Sequence, residues 1–158
     1  MIIVADSSAL IALATCSALD VLIDLYDDVY VPNAVYLEVI QPNKSQSAIL
    51  HDFLDARVVE IDPKQFVIAV GGLGAGELEA MALYQQLQAH KLLIDDRQAR
   101  RVAEANGIEC IGALGLLLLA KHHGHISAIA PFIDQLRDSS LHYSQAILLK
   151  VLQLANEG

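Results

Sequence analysis

Five acids stand out in this sequence, most of them where one kind of segment gives way to another. Asp6 follows the apolar run Ile2-Ile3-Val4-Ala5, Glu38 lies in the helical run after Pro32, Glu77 closes the glycine-rich GGLGAGE, and Asp95-Asp96 follow Leu92-Leu93-Ile94. A carboxylate aimed at a core is costly unless something compensates it. Carboxylates that converge raise one another's pKa unless a cation neutralises them. With no cysteine and no paired histidines beside these acids, an all-oxygen donor set favours Mg²⁺ or Mn²⁺ over Zn²⁺. Such an ion acidifies a bound water, polarises a phosphoryl oxygen and neutralises charge in an in-line displacement, and phosphodiester hydrolysis uses all three effects.

The elements around the acids decide whether they can meet. On a helix starting near Gly76, Glu77 shares a face with Ala80, Met81 and Tyr84, whereas Glu79 falls with Gln86 on the polar side. Glu38 lies one turn after Ala34 and Val35 and faces inward on the same reasoning. Short apolar runs at 2–5, 28–31, 58–61, 92–94 and 109–111 have the character of buried parallel strands. Between them the pattern predicts helices over 9–15, after Ser17 with Leu19, Leu22, Ile23 and Tyr26 inward, after Pro32, over 45–54, from about Gly76, over 97–106 and over 113–121. Two more follow, over 131–137 and 144–154. Ser8 and Ser17 have the chemistry of helix caps, and Pro32 suits a first helical turn. This alternation predicts an α/β three-layer sandwich with a central, mostly parallel sheet. Acids at the carboxyl ends of such strands sit where open sheets keep their ligand crevices. Taken singly, each acid reads equally well as a helix cap, a dipole partner or a surface residue. The recurrence of three of them at strand-to-helix or loop-to-helix junctions is what favours a site.

At 158 residues, 54% apolar and 18% charged, the chain fits one domain over 1–158 with a continuous core. No apolar run reaches the roughly 18 residues of a membrane span, and MIIVAD lacks the pattern of a signal peptide, so a cytoplasmic location is expected. Cys16 and Cys110 have no metal-type spacing and read as small core residues. A net charge of −9 argues against a general nucleic-acid coat protein. The glycines at 71, 72, 74 and 76 lack the Lys-Ser/Thr of a phosphate loop and read as a flexible lead into a helix. Lys121-His122-His123-Gly124-His125 reads as a helix C-terminus rather than a metal site. The apolar run Leu114 to Leu119 and a mean hydropathy of +0.43 predict a homodimer.

The strings VADSSALIAL, VPNAVYLEVI, GLGAGELEAMALY, LLIDDRQARRVAEANGI and IGALGLLLLAKHHGHI, in this order, resemble the PIN-domain nucleases, especially the VapC-like toxin-type branch. The resemblance covers nearly the whole chain and implies a parallel sheet flanked by helices and acids that bind Mg²⁺ or Mn²⁺ for RNA hydrolysis. It implies Asp6, Glu38, Glu77 and Asp96 as the four catalytic and metal-binding acids, with Asp95 sharing or replacing the last, and Ser7 or Ser8 supporting the first. Glu77 stands where the family commonly has Asp, and Gln98 where a further acid is often found. Arg97, Arg100 and Arg101 could hold RNA phosphates, although a solvated helix face is the usual meaning of such a run. The implied function is a metal-dependent endoribonuclease, the toxin of a pair with a small antitoxin protein. The alternative is a non-catalytic PIN-like module that binds RNA or protein.

Overall fold

The computed structural model describes residues 1–65 and 72–158. Gly71, the first of the glycines, lies outside the described residues. Strand β1 (Ile2–Ala5) is followed by helices α1 (Ser7–Thr15) and α2 (Asp20–Leu25), strand β2 (Asp28–Pro32), and helices α3 (Asn33–Val39) and α4 (Ser47–Leu54). Strand β3 (Val58–Val59), a 3-10 turn at Pro63–Gln65, helix α5 (Ala75–Leu87), strand β4 (Lys91–Leu93), helix α6 (Arg97–Ala105) and strand β5 (Cys110–Ile111) come next. Helices α7 (Ala113–His122), α8 (Ala130–Arg137) and α9 (Gln145–Leu154) complete the described chain.

The described strands form one sheet in the order β3-β2-β1-β4-β5, and every pairing is parallel. The central strand pairs Ile3 with Val29 on one side and Val4 with Leu92 on the other. Residues Ile3, Val4, Ala5, Leu92, Leu93 and Ile94 are wholly buried, as expected for strands covered on both faces. From β1 the chain steps outward through β2 to β3, then returns by α5 to β4 on the opposite side of β1. Right-handed crossovers that step in opposite directions place their helices on opposite faces of the sheet. The helices after β1 and β4 therefore diverge, leaving a crevice at the carboxyl ends of these two strands.

Several boundaries differ from the sequence expectations for identifiable reasons. Helix α1 begins at Ser7 because the Leu10 amide already bonds the Asp6 carbonyl at 3.3 Å, so Ser8 lies inside the helix and caps nothing. Ser17 does not cap α2: at φ +60° it ends α1, where the Ala18 amide returns to the Leu13 carbonyl at 2.8 Å. Ile23 is 48% exposed while its expected companions Leu19, Leu22 and Tyr26 are buried. Pro32 is the last residue of β2 and the N-cap of α3, one position before the first turn. Strand β3 stops at Val59 rather than Ile61, and α4 starts at Ser47 rather than Ser45. In the run Leu114 to Leu119, Leu116 and Leu117 are buried in the chain's own core, and Leu114 and Leu118 pack against it. The exposed apolar side chains instead include Ile147, Leu149 and Leu154 of α9.

Candidate active site

Asp6 is set by the sheet itself. Its amide donates to the Leu93 carbonyl at 2.8 Å, extending the β1–β4 pairing by one residue, and its side chain leaves the strand at the mouth of the crevice. Asp6 is 4% exposed and Ser7 7%, the two buried polar residues among those described. Asp96 arrives from β4 two residues beyond Ile94 and caps α6, its Oδ1 accepting the Ala99 amide at 2.9 Å. Glu38 projects from α3 toward α1, where the Ser7 hydroxyl donates to its Oε2 at 2.5 Å. Glu77 stands at the third position of α5 and reaches back to the Gly74 amide at 3.4 Å. These four carboxylates, with Ser8 and the start of α5, line one open cleft of about 440 Å³.

The charges in this cleft are of one sign. Burial pushes the Asp6 carboxyl up to about 7, the Ser7 backbone amide opposes this, and Glu77, Glu38 and Asp96 add to the rise. Burial also raises Glu77, against the Gly74 amide and with help from Asp96 and Glu38. No basic side chain is among the residues lining the cleft. A site of this kind favours protons or cations over its own ionised acids.

The adjacent acids part company. Asp95 turns away from the cleft into a separate pocket beside α7 and α9. There its Oδ1 accepts the Ala113 amide at 2.9 Å and its Oδ2 the Tyr143 hydroxyl at 2.9 Å. Asp95 is thus not brought beside Asp6, Glu38 and Glu77, and the acid of the pair that joins them is Asp96. The supporting hydroxyl also differs from expectation, since Ser7 serves Glu38 rather than Asp6, and Ser8 lines the cleft as an exposed residue. Glu79 lies away from the cleft, as the helical pattern implies, and accepts the Ala34 amide at the start of α3 at 3.2 Å. Arg97 and Arg101 are exposed on α6, whereas Arg100 pairs with Glu104 at 3.5 Å and lines the Asp95 pocket.

Two features were not read from the sequence. A Cβ on Gly76 would sit 3.4 Å from Glu38 Oε2, 3.4 Å from Val35 Cγ2 and 4.0 Å from Asp6 Oδ1, so this glycine keeps space open between the acids. Its position in the first turn of a helix, next to an acid, was the available signal. The Tyr143–Asp95 bond spans 48 residues of chain and has no local signature.

Among the described residues no three His, Cys, Asp or Glu side chains stand close enough to enclose a metal ion. Glu38 is held by the Ser7 hydroxyl and Glu77 by the Gly74 amide, in a cleft whose like charges repel. The donor chemistry nevertheless suits a hard divalent cation: oxygen ligands only, a desolvated Asp6, and a glycine where a side chain would fill the space. A family model described as a PIN domain matches residues 2–157. No curated protein and no solved structure matches the chain significantly. Because the family match runs over nearly the whole length, and the sheet and its switch-point crevice agree with it, the chain belongs to the PIN-domain family.

Proposed function

We propose that this protein is a Mg²⁺- or Mn²⁺-dependent endoribonuclease of the VapC-like type. It would act in the cytoplasm as the toxin of a toxin-antitoxin pair, built as one domain. PIN domains are generally nucleases and typically use divalent metals. The observation that carries the reading is the meeting of Asp6, Glu38, Glu77 and Asp96 in one cleft, with Asp6 pushed up to about 7 and no lining cation to offset the charge. These four residues would hold the metal. When bound, the metal supplies an acidified water and neutralises charge at the phosphoryl group.

The chain's own residues divide the remaining work. Asp6, pinned by Leu93, anchors the cleft on the rigid sheet. Ser7 orients Glu38, and the α6 cap holds Asp96 at the rim. Arg97 and Arg101, exposed just beyond Asp96, are placed to attract an RNA backbone. A homodimer and a small antitoxin are the proposed partners, with the apolar side chains of α9 as surface for one of them.

The test is cleavage of single-stranded RNA by purified protein with Mg²⁺ or Mn²⁺, with EDTA, and by Asp6→Asn. The expected result is cleavage by the wild type only with metal, and a loss of at least about a hundredfold in the variant. Undiminished cleavage in EDTA overturns the metal mechanism. RNA binding without cleavage in either condition favours the non-catalytic module.

A further inference from the structure

We propose that Tyr143 and Asp95 form a positioning pair that sets Asp96 in the cleft, so that the segment entering α9 helps to build the acidic site. The inference rests on the metal-nuclease reading for its consequence, but its geometry stands apart from it. Asp95 is clamped on both oxygens, by the first amide of α7 and by the Tyr143 hydroxyl. It is also pressed over Gly112, where any Cβ would lie 2.8 Å from its Oδ1 and 3.2 Å from Arg100 Nη1. The preceding residue is held as well, the Ile94 amide donating to the Ile111 carbonyl at 2.9 Å.

The turn from β4 into α6 is therefore fixed immediately before Asp96, whose carboxylate both caps α6 and lines the cleft. Of these restraints, the Tyr143 bond is the one supplied from outside the sheet and its adjoining helix starts. Tyr143 itself packs against the core, directly before the α9 cap Ser144, so its hydroxyl is delivered by a seated ring. Losing the hydroxyl frees one oxygen of Asp95 and lets the turn relax, and Asp96 moves with it. Partners that orient ligating groups commonly contribute tenfold or more to metal affinity. One peptide removed, the expected cost is about fivefold to tenfold.

Two measurements on Tyr143→Phe decide the matter. In EDTA, amide exchange of Ala99, whose N–H reports the Asp96 carboxylate, should quicken relative to the amides of Val102 and Ala103 further along α6. With metal, the Mg²⁺ concentration giving half of the full melting-temperature shift should rise about fivefold to tenfold, and that for half-maximal cleavage in parallel, with the rate at saturating Mg²⁺ within about twofold of wild type. Lower stability with unchanged Ala99 exchange and an unchanged Mg²⁺ midpoint makes Tyr143 a structural tether and overturns the proposal. If wild type neither responds to Mg²⁺ nor cleaves RNA, the nuclease reading fails, and Ala99 exchange alone still decides whether the pair positions Asp96. Asp95→Asn, which keeps an acceptor for Ala113, serves as the second variant should Tyr143→Phe fold poorly.

Discussion

Asp6 carries two opposed requirements: the fold buries it, and the cleft surrounds it with three further carboxylates. Its folded pKa of about 7 lies above the ordinary 3.8, so between these values the native state binds more protons than the unfolded one. Stability contributed by this group is then present below pH 4 and falls as pH rises through 7. Asp6→Asn removes that dependence. In EDTA the variant should gain on wild type from pH 4 to about pH 7 and level off above it, by on the order of 2–4 kcal/mol at the upper end. Denaturant melts of both proteins across this range check it, and a constant difference between them would mean that Asp6 is not the strained acid. Gly76→Ala asks the complementary question about space. Gly76 has no left-handed backbone to lose, and Ala favours a helix by up to about 1 kcal/mol, so the metal-free variant should melt no lower than wild type. Its Cβ enters the gap between Glu38 and Asp6, so the Mg²⁺ concentration giving half of the melting-temperature shift should rise, and RNA cleavage fall, at least about tenfold. A variant that is stabilised and keeps its full metal response would show that the gap is not where the cation sits.

Helix starts do much of the positioning, and the start of α6 is the clearest case. Asp96 both accepts the Ala99 amide and faces three other acids, so cap and site make different demands on one carboxylate. Asn can cap as well as Asp, whereas Ala cannot, and losing a cap costs about 1 kcal/mol. Asp96→Asn should therefore melt in EDTA at or slightly above the wild-type temperature, and Asp96→Ala should melt lower. Both should lose most of the Mg²⁺ shift. Calorimetric melts of the three proteins with EDTA and with Mg²⁺ check this, and equal metal shifts in all three would remove Asp96 from the site. The order of strands and helices was readable because buried strands and amphipathic helices leave different periodicities, and glycine punctuates their ends. What could not be read depended on partners distant in the chain. Asp95 and Asp96 look alike until Ala113 and Tyr143 claim the first, and Ser7 resembles a support for Asp6 until α3 brings Glu38 to it. Ser17 failed as a predicted cap for a local reason: the end of α1 needed a left-handed residue before α2 could start.

The molecule as a whole joins a mostly negative surface to a substrate that would also be negative. The net charge is −9, and among the basic residues Lys91, Arg100, Lys121 and Arg137 already face carboxylates. Arg97 and Arg101, one turn apart on the exposed part of α6, follow the cap residue Asp96 and face no carboxylate in the ion pairs of the described residues. The fold explains why they follow Asp96 so closely, because α6 begins just after β4, beside the switch point between β1 and β4. On the proposed nuclease reading, the metal, more than a basic groove, would draw RNA in. The affinity for RNA should accordingly vary weakly with salt. Each neutralised phosphate of a single strand contributes about −0.7 to the slope of log K against log salt, so two arginines predict a slope of about −1.4. Fluorescence anisotropy of a labelled single-stranded RNA, titrated with the Glu38→Gln protein at fixed Mg²⁺ over roughly 50 to 200 mM NaCl, measures it. Arg97→Ala in that background should lower the slope by about 0.7 and weaken binding to all sequences alike. A slope steeper than about −3 would require more cations than these two arginines supply. The further basic surface would then have to come from elsewhere on this chain, a second copy or another protein, and the two arginines would lose their assigned role.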